Sequence, residues 1–328
     1  MPSKPAITVT ICTYRRADLL PVTLASLTAV RSPRAAGGQA LPWELLLVDN
    51  ACDPGVGRIA EQFQGKLPIR YAQESSVGIA HARNRAVALT TAPVILFADD
   101  DVLIDPQWLD AMAAAIAAHP ECTFWGGRIQ PRWQVPCPPW FDTRRCPSLG
   151  DSIVQYDRGS EVRYWDPTRP HEDPPFYTCN LALRTDAVRS AGMFDVTLGH
   201  RGVRRGSGED SWLITRLAAG GARGWYAADA LVHHPVDAQR LTRSFARGFA
   251  WRQGKMSVEM LCRQAELEKG ARRIPRWLYG VAARQVLRGC GRWLGGTLTG
   301  DSGLGFAGEY AAIFNASKLV HALPRKRG

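Results

Sequence analysis

Asp99-Asp100-Asp101 follow the apolar run Val94-Ile95-Leu96-Phe97-Ala98 without a break. Three adjacent carboxylates repel one another unless positive charge sits among them. A hard divalent cation, Mg²⁺ or Mn²⁺, meets that need through oxygen ligands and is often shared with a substrate phosphate. The same residues also suit a solvated turn, where Asp is common, and taken alone the triplet fits either. Two further acidic positions stand at the ends of patterned segments: Asp49 behind Trp43-Glu44-Leu45-Leu46-Leu47-Val48, and Glu209-Asp210 ahead of 211–219. An acid behind a strand accepts hydrogen bonds from a base or a ribose hydroxyl, or forms an ordinary turn. A carboxylate in the first turn of a helix complements the macrodipole. Beside an acceptor hydroxyl, the same group is placed to act as a general base. His233-His234 offer a metal ligand or a proton shuttle, although a lone histidine is more often structural. Arg15, Arg16, Arg83 and Arg85 carry forks that match phosphates and also suit a solvated face. Neither G-x-x-x-x-G-K-[S/T] nor G-x-G-x-x-G occurs, so kinase-like and dinucleotide-binding readings lose support.

The elements that would carry these residues alternate. Strand patterns fall at 7–12, 43–48, 69–72, 94–98 and 178–183, and helical spacing at 18–29, 56–64, 78–89, 105–118 and 186–191. Asp53-Pro54-Gly55 reads as a turn, and 31–42 as a loop. Such alternation predicts a doubly wound, mostly parallel α/β sheet. Ligands of such sheets bind at the C-terminal ends of the strands, which is where Asp49 and Asp99–Asp101 would lie. Residues 224–227 and 230–232 read as short strands closed by His233-His234-Pro235. Between these parts, 131–177 holds nine prolines with Trp133, Trp140 and Trp165 and little periodicity. Its aromatics argue against plain disorder, and a long irregular stretch in a compact domain is usually functional.

Of the chain's 328 residues, 45% are apolar and 22% charged, as in ordinary globular proteins. Its net charge of +11 sits wholly in 235–328, with 17 Lys and Arg against 6 Asp and Glu. That excess suggests an anionic membrane face, nucleic acid or a phosphate-bearing ligand. Helical patterns run over 238–269 and 276–294. The second puts Arg284, Arg288 and Arg292 on one face and Leu278, Ala282, Val286 and Trp293 on another, as in a basic amphipathic helix. Residues 324–328 read as a frayed tail. The start of the chain shows no signal-peptide h-region, and no uncharged apolar stretch reaches the ~18 residues of a membrane span. Eight scattered cysteines without a C-x-x-C pair argue against structural zinc and for reduced thiols in the cytoplasm.

Taken in order, Thr13-Tyr14-Arg15-Arg16, Val48-Asp49-Asn50, Gly78-Ile79-Ala80-His81-Ala82-Arg83-Asn84, Phe97-Ala98-Asp99-Asp100-Asp101, Gly192-Met193-Phe194-Asp195 and Gly208-Glu209-Asp210 resemble family 2 glycosyltransferases. The resemblance covers about 7–235. It implies the GT-A fold, a Rossmann-like, mostly parallel sheet flanked by helices, over 1–235, with 131–177 on the acceptor side and 236–328 a helical basic extension. It also implies inverting transfer of a sugar from a nucleotide-diphosphate donor to a glycan or lipid-linked acceptor, in polysaccharide or glycolipid synthesis. Thr13, Tyr14, Arg16 and Asp49 would line the nucleoside pocket, with Arg83 and Asn84 near the donor. Asp99 and Asp100 would face ribose and sugar, and Asp101 the metal, with Asp99 also counted among its ligands. Asp210 matches the catalytic base with Glu209 beside it, and Asn180 lies towards the acceptor. His234 matches a histidine that assists the Mg²⁺ or Mn²⁺, and His233 stays open. The chain would act in the cytoplasm or at the inner membrane face, through 276–294, as a single-addition enzyme rather than a processive one. No nucleic-acid partner is expected. A non-catalytic sugar-nucleotide-binding or assembly protein of the same fold is the alternative.

Overall fold

The computed structural model describes residues 4–35, 38–168, 174–202 and 205–323. The expected tail at 324–328 and parts of the expected loops, at 36–37 and 169–173, lie outside the described residues. In chain order the elements are β1 (Ile7–Thr13), α1 (Leu20–Leu27), β2 (Trp43–Asp49), α2 (Pro54–Gln62), β3 (Ile69–Gln73), α3 (Ile79–Leu89), β4 (Val94–Ala98), β5 (Leu103–Ile104), α4 (Trp108–Ala118) and β6 (Phe124–Trp133). Then come α5 (Ser148–Ser152), β7 (Arg163–Tyr164), β8 (Asn180–Arg184), α6 (Thr185–Ser190), α7 (Glu209–Ala219), β9 (Gly224–Val236), α8 (Arg243–Lys269), α9 (Trp277–Thr299) and α10 (Ser302–Ala322).

The chain divides into two compact units, one of 1–132 with 154–235, the other of 133–153 with 236–328. The first holds the mixed sheet, ordered β3-β2-β1-β4-β8-β6-β9-β5, with β7 beside β9. Strands β1, β2, β3 and β4 run parallel, and β8 is antiparallel to β4 and β6. Every residue of β4 is buried, as is almost all of β1. Parallel strands covered on both faces need such continuous apolar runs.

Several boundaries differ from the sequence reading for physical reasons. The expected turn at Asp53 is a helix start: Pro54 opens α2, and the Asp53 side chain accepts a hydrogen bond from Gly55 N at 2.7 Å. Strand β6 was hidden by Gly126-Gly127, which weaken any strand pattern. At Gly127 a side chain has no room, since a Cβ there would lie 2.3 Å from Asn180 Nδ2 and 2.4 Å from Ala230 O. The two short strands expected at 224–232 are one long strand, so His233 and His234 lie within β9 rather than behind it.

The second unit takes in 133–153 as well as 236–328. Residues 133–153, read as part of one acceptor-side loop, belong with the C-terminal helices. Their aromatics explain this: Phe141 and Leu149 are buried with Ala246, Phe306 and Tyr310, and the Trp140 ring meets Phe306 at 4.3 Å. Helix α8 is capped by Thr242, whose side chain accepts from Phe245 N, and ends at Gly270 in the left-handed conformation.

Candidate active site

Strand register sets the site. Thr13 pairs with Asp49 across β1 and β2, and Ile11 with Ala98 across β1 and β4. Thr13, Asp49 and Asp99–Asp101 therefore share the C-terminal edge of three adjacent parallel strands. Strand order reverses between β1 and β4, the place where such sheets open a ligand crevice.

The triplet divides. Asp100 is buried and accepts hydrogen bonds from Thr13 Oγ1 at 2.6 Å and Arg16 Nη1 at 2.9 Å, while its carbonyl accepts from Thr23 Oγ1 at 3.0 Å. The same Arg16 nitrogen reaches Asp101 Oδ2 at 3.0 Å. Asp101 Oδ1 is buried with no hydrogen-bond partner. It lies 3.8 Å from His234 Nε2. Asp99, Asp101 and His234 each offer a ligand atom, all within 4.8 Å of one another. An orphaned carboxylate oxygen beside a second acid and an imidazole is a donor set suited to Mg²⁺ or Mn²⁺. Pairing of β5 with β9, Leu103 opposite His233, carries His234 to this cluster. Burial, followed by the neighbouring charges of Asp101 and Asp100, pushes the Asp99 carboxyl up to about 7, against the opposing pull of Arg83.

Arg83 joins this cluster to the second acidic group. Its side chain is buried and meets Glu209 Oε1 at 2.5 Å through Nη1 and Asp99 Oδ1 at 4.0 Å through Nη2. Glu209 and Asp210 form the first turn of α7, entered through left-handed Gly208. Glu209, expected beside the acceptor, has one oxygen taken by Arg83 and the other buried without a hydrogen bond. Asp210 accepts from Ser211 N at 2.8 Å and, weakly, from Thr178 N at 3.4 Å. Burial and then the charge of Glu209 push its carboxyl up to about 6, with Arg83 opposing. A carboxylate with that proton affinity suits a general base near neutral pH.

At the far end of the row, Asp49 is fully buried and accepts from Ala51 N at 2.9 Å, Asp53 N at 2.6 Å and Tyr71 Oη at 2.9 Å. Tyr71 joins the site beyond the residues expected from sequence; burial and this bond push its hydroxyl up to about 12. Its signal was available, because β3 sets Tyr71 and Gln73 opposite Leu47 and Asp49 and alternate residues share a face. Tyr14 is half-buried directly after β1.

Two expected contacts are committed elsewhere. Asn84, expected near the donor, donates to Phe194 O at 2.9 Å and accepts from Phe194 N at 2.8 Å, which pins the 192–195 turn to α3. Asn180, expected on the acceptor side, accepts from Trp108 Nε1 at 2.8 Å and donates to Arg128 O at 3.0 Å and Ala230 O at 2.8 Å. With both amide hydrogens used and the residue 1% exposed, it braces the sheet.

A mostly parallel, helix-flanked sheet with acids along its C-terminal edge is the arrangement of the GT-A fold. The family model for glycosyl transferase family 2 matches residues 8–146 of this chain. Among similar proteins, validoxylamine A glucosyltransferase of Streptomyces hygroscopicus is 27% identical over 241 residues, 66% of this chain and 52% of that protein. The chain thus spans about half the length of this relative. Glycosyltransferase AglE of Haloferax volcanii is 24% identical over 79% of this chain and 76% of its own. Among solved structures, a mannosyltransferase from Pyrobaculum calidifontis in complex with GDP-Man and Mn²⁺ has a TM-score of 0.55 at 19% identity, covering 97% of this chain and 75% of its own. S. aureus TarS 1-349 in complex with UDP has a TM-score of 0.51 at 16% identity, covering 94% and 90%. At these identities the structural matches establish the fold.

Proposed function

We propose that this protein transfers a sugar, with inversion, from a nucleotide-diphosphate donor to a hydroxyl of a glycan or lipid-linked acceptor. The observation that carries the reading is the Asp99-Asp101-His234 cluster joined by the Arg83 guanidinium, which meets Asp99 and Glu209, to the helix N-terminus that holds Asp210, an acid of raised proton affinity. Thr13, Tyr14, Arg16 and Asp49 flank the nucleoside end, where Asp49 is already oriented by three donors. Asp99, Asp101 and His234 would hold Mg²⁺ or Mn²⁺, which when bound supplies charge to the leaving diphosphate. Asp100 stays with Thr13 and Arg16 and fixes the strand end.

Asp210 takes the proton of the attacking hydroxyl. The new bond forms from the acceptor oxygen to the anomeric carbon as the bond to the diphosphate breaks, and the nucleoside diphosphate leaves with the electron pair. Attack opposite the leaving group inverts the anomeric centre. Glu209 and Arg83 hold α7 and its base in place. Cell-surface polysaccharide or glycolipid synthesis fits this reaction, and a lipid-linked acceptor would bring the protein to the inner face of the membrane. Among the described residues no helix is long and apolar enough to cross one.

The test is a thermal-shift screen of nucleoside diphosphates and sugar nucleotides with and without Mn²⁺ or Mg²⁺, followed by donor-turnover assays. Asp101→Ala is expected to abolish the metal-dependent shift. Asp210→Asn is expected to keep nucleotide binding and lose about 10²-fold or more in turnover. Wild-type binding with no turnover for any donor, and no change in Asp210→Asn, would instead favour a non-catalytic sugar-nucleotide-binding protein.

A further inference from the structure

Helix α9 is packed the wrong way round for a helix that hides its large side chains. It buries Leu278, Ala282, Gly289 and Gly296. Against α10 its backbone comes close: a Cβ on Gly289 would lie 2.8 Å from both Ala312 N and Gly308 O. Contact through so narrow a stripe leaves the bulky residues outside. Trp277 is 58% exposed, Val281 43%, Leu287 74%, Leu294 53% and Leu298 78%. At about 100° per residue these five fall within an arc of roughly 140°, with Arg284 and Arg288 inside the same arc. The sequence pattern points to Leu278, Ala282, Val286 and Trp293 as the apolar face; the structure buries Leu278 and Ala282 and leaves Trp293 49% exposed.

The charge on this surface is of one sign. From 272 to 300 the chain has six arginines and no Asp or Glu. Arg272 is paired with Glu259, while Arg273, Arg276, Arg284, Arg288 and Arg292 are exposed. An exposed apolar patch of this kind marks an interaction surface. A second copy of the chain is a poor occupant, because a two-fold contact through this face would set arginines against arginines. Nucleic acid would answer the charge but not the exposed leucines. An anionic lipid surface answers both: acyl chains receive Trp277, Leu287, Leu294 and Leu298, and headgroups receive guanidinium groups that reach up from the same face.

We infer that α9 is an interfacial membrane helix that docks this protein on anionic bilayers through the face formed by Trp277, Val281, Leu287, Leu294 and Leu298 with Arg284 and Arg288. The docking stands apart from the transfer chemistry and does not depend on it. The experiment is vesicle flotation of the purified chain with phosphatidylglycerol–phosphatidylcholine vesicles and with phosphatidylcholine alone, at low and high salt. Binding is expected to the anionic vesicles, weaker at high salt. The double variant Leu287→Asp/Leu298→Asp is expected to lower it by about tenfold or more, with an unchanged melting temperature because both positions are exposed. Arg284→Gln/Arg288→Gln is expected to weaken it while leaving the apolar face intact. Absence of binding, equal binding to neutral vesicles, or full binding by the leucine variant would overturn the inference. So would a solution dimer that the leucine variant dissociates, or binding to duplex DNA or RNA in place of vesicles.

Discussion

Replacing Arg83 by Met tests the idea that one buried guanidinium holds both halves of the site. The Arg83 and Glu209 side chains are each 7% exposed and 2.5 Å apart. Met keeps most of the apolar stem and removes the charge, leaving Glu209 buried without its partner beside Asp210. Breaking a buried pair from one side costs about 3–5 kcal/mol, chiefly for the stranded charge. For a unit of this size each kcal/mol moves the midpoint by about 2–4 °C, so a fall of roughly 10 °C is expected in a thermal melt. Arg83→Met with Glu209→Gln removes the stranded charge as well and should recover about half of that loss or more. Arg83 also opposes the upward shifts of Asp99 and Asp210, so its loss should raise both further and move the acid limb of any pH–rate profile upward. A single variant that melts within about 1 °C of wild type, or a double variant no better than the single, would refute the reasoning.

Two other outcomes follow from the same geometry. Turnover should rise with pH through about 6, because Asp210 acts as base only when deprotonated, and metal affinity should rise through about 7 as Asp99 loses its proton; turnover and Mn²⁺ titrations from pH 5 to 8 would read both, and a flat profile would remove them. Both carboxyls bind protons more tightly folded than at their ordinary value of 3.8, so metal-free stability should fall as pH rises from about 4 to about 7 and level off above. Asn180→Ala strands the Trp108 Nε1 donor and the carbonyls of Arg128 and Ala230, at a cost of about 3 kcal/mol or more. Nucleotide affinity measured well below the melt should hold; selective loss of acceptor affinity in a stable variant would return Asn180 to the acceptor side.

The parallel half of the sheet was readable because buried parallel strands are nearly all apolar, and in β2 and β4 the run stops at an acid. Asp49, Asp99–Asp101 and Glu209-Asp210 could be seen at element ends for that reason. The choice of His234 over His233 could not be read locally: it depends on β9 continuing through Pro235 and on its pairing with two-residue β5. The commitments of Asn84 and Asn180 were equally hidden, since their partners lie far along the chain, at Phe194, Trp108, Arg128 and Ala230. Residues 133–153 looked like loop because their order comes from aromatic contacts with α10 and not from periodicity. The exposed face of α9 escaped the hydrophobic pattern because small residues, Ala282, Gly289 and Gly296, make most of its buried stripe.

Charge balance sorts the acids of the site into two kinds. Among the described residues, Asp99, Asp100, Asp101 and Glu209 are ion-paired to two guanidinium groups, Arg16 and Arg83, with Asp210 beside Glu209. Arg16 and Thr13 satisfy Asp100, and Arg83 takes Glu209, so these two carboxylates are bound into the fold. What remains short of positive charge is Asp99, the inner oxygen of Asp101 and Asp210. Asp99 and Asp210 answer by holding protons more tightly, and the Asp101 oxygen is left without a donor. Partly desolvated groups in that condition are costly to keep, and the fold keeps them beside the strand ends where β1 and β4 diverge. The acids that the arginines leave uncompensated are the ones to which the proposal gives the cation and the acceptor proton. Reassigning a guanidinium, as in Arg83→Met, should therefore alter chemistry and stability together.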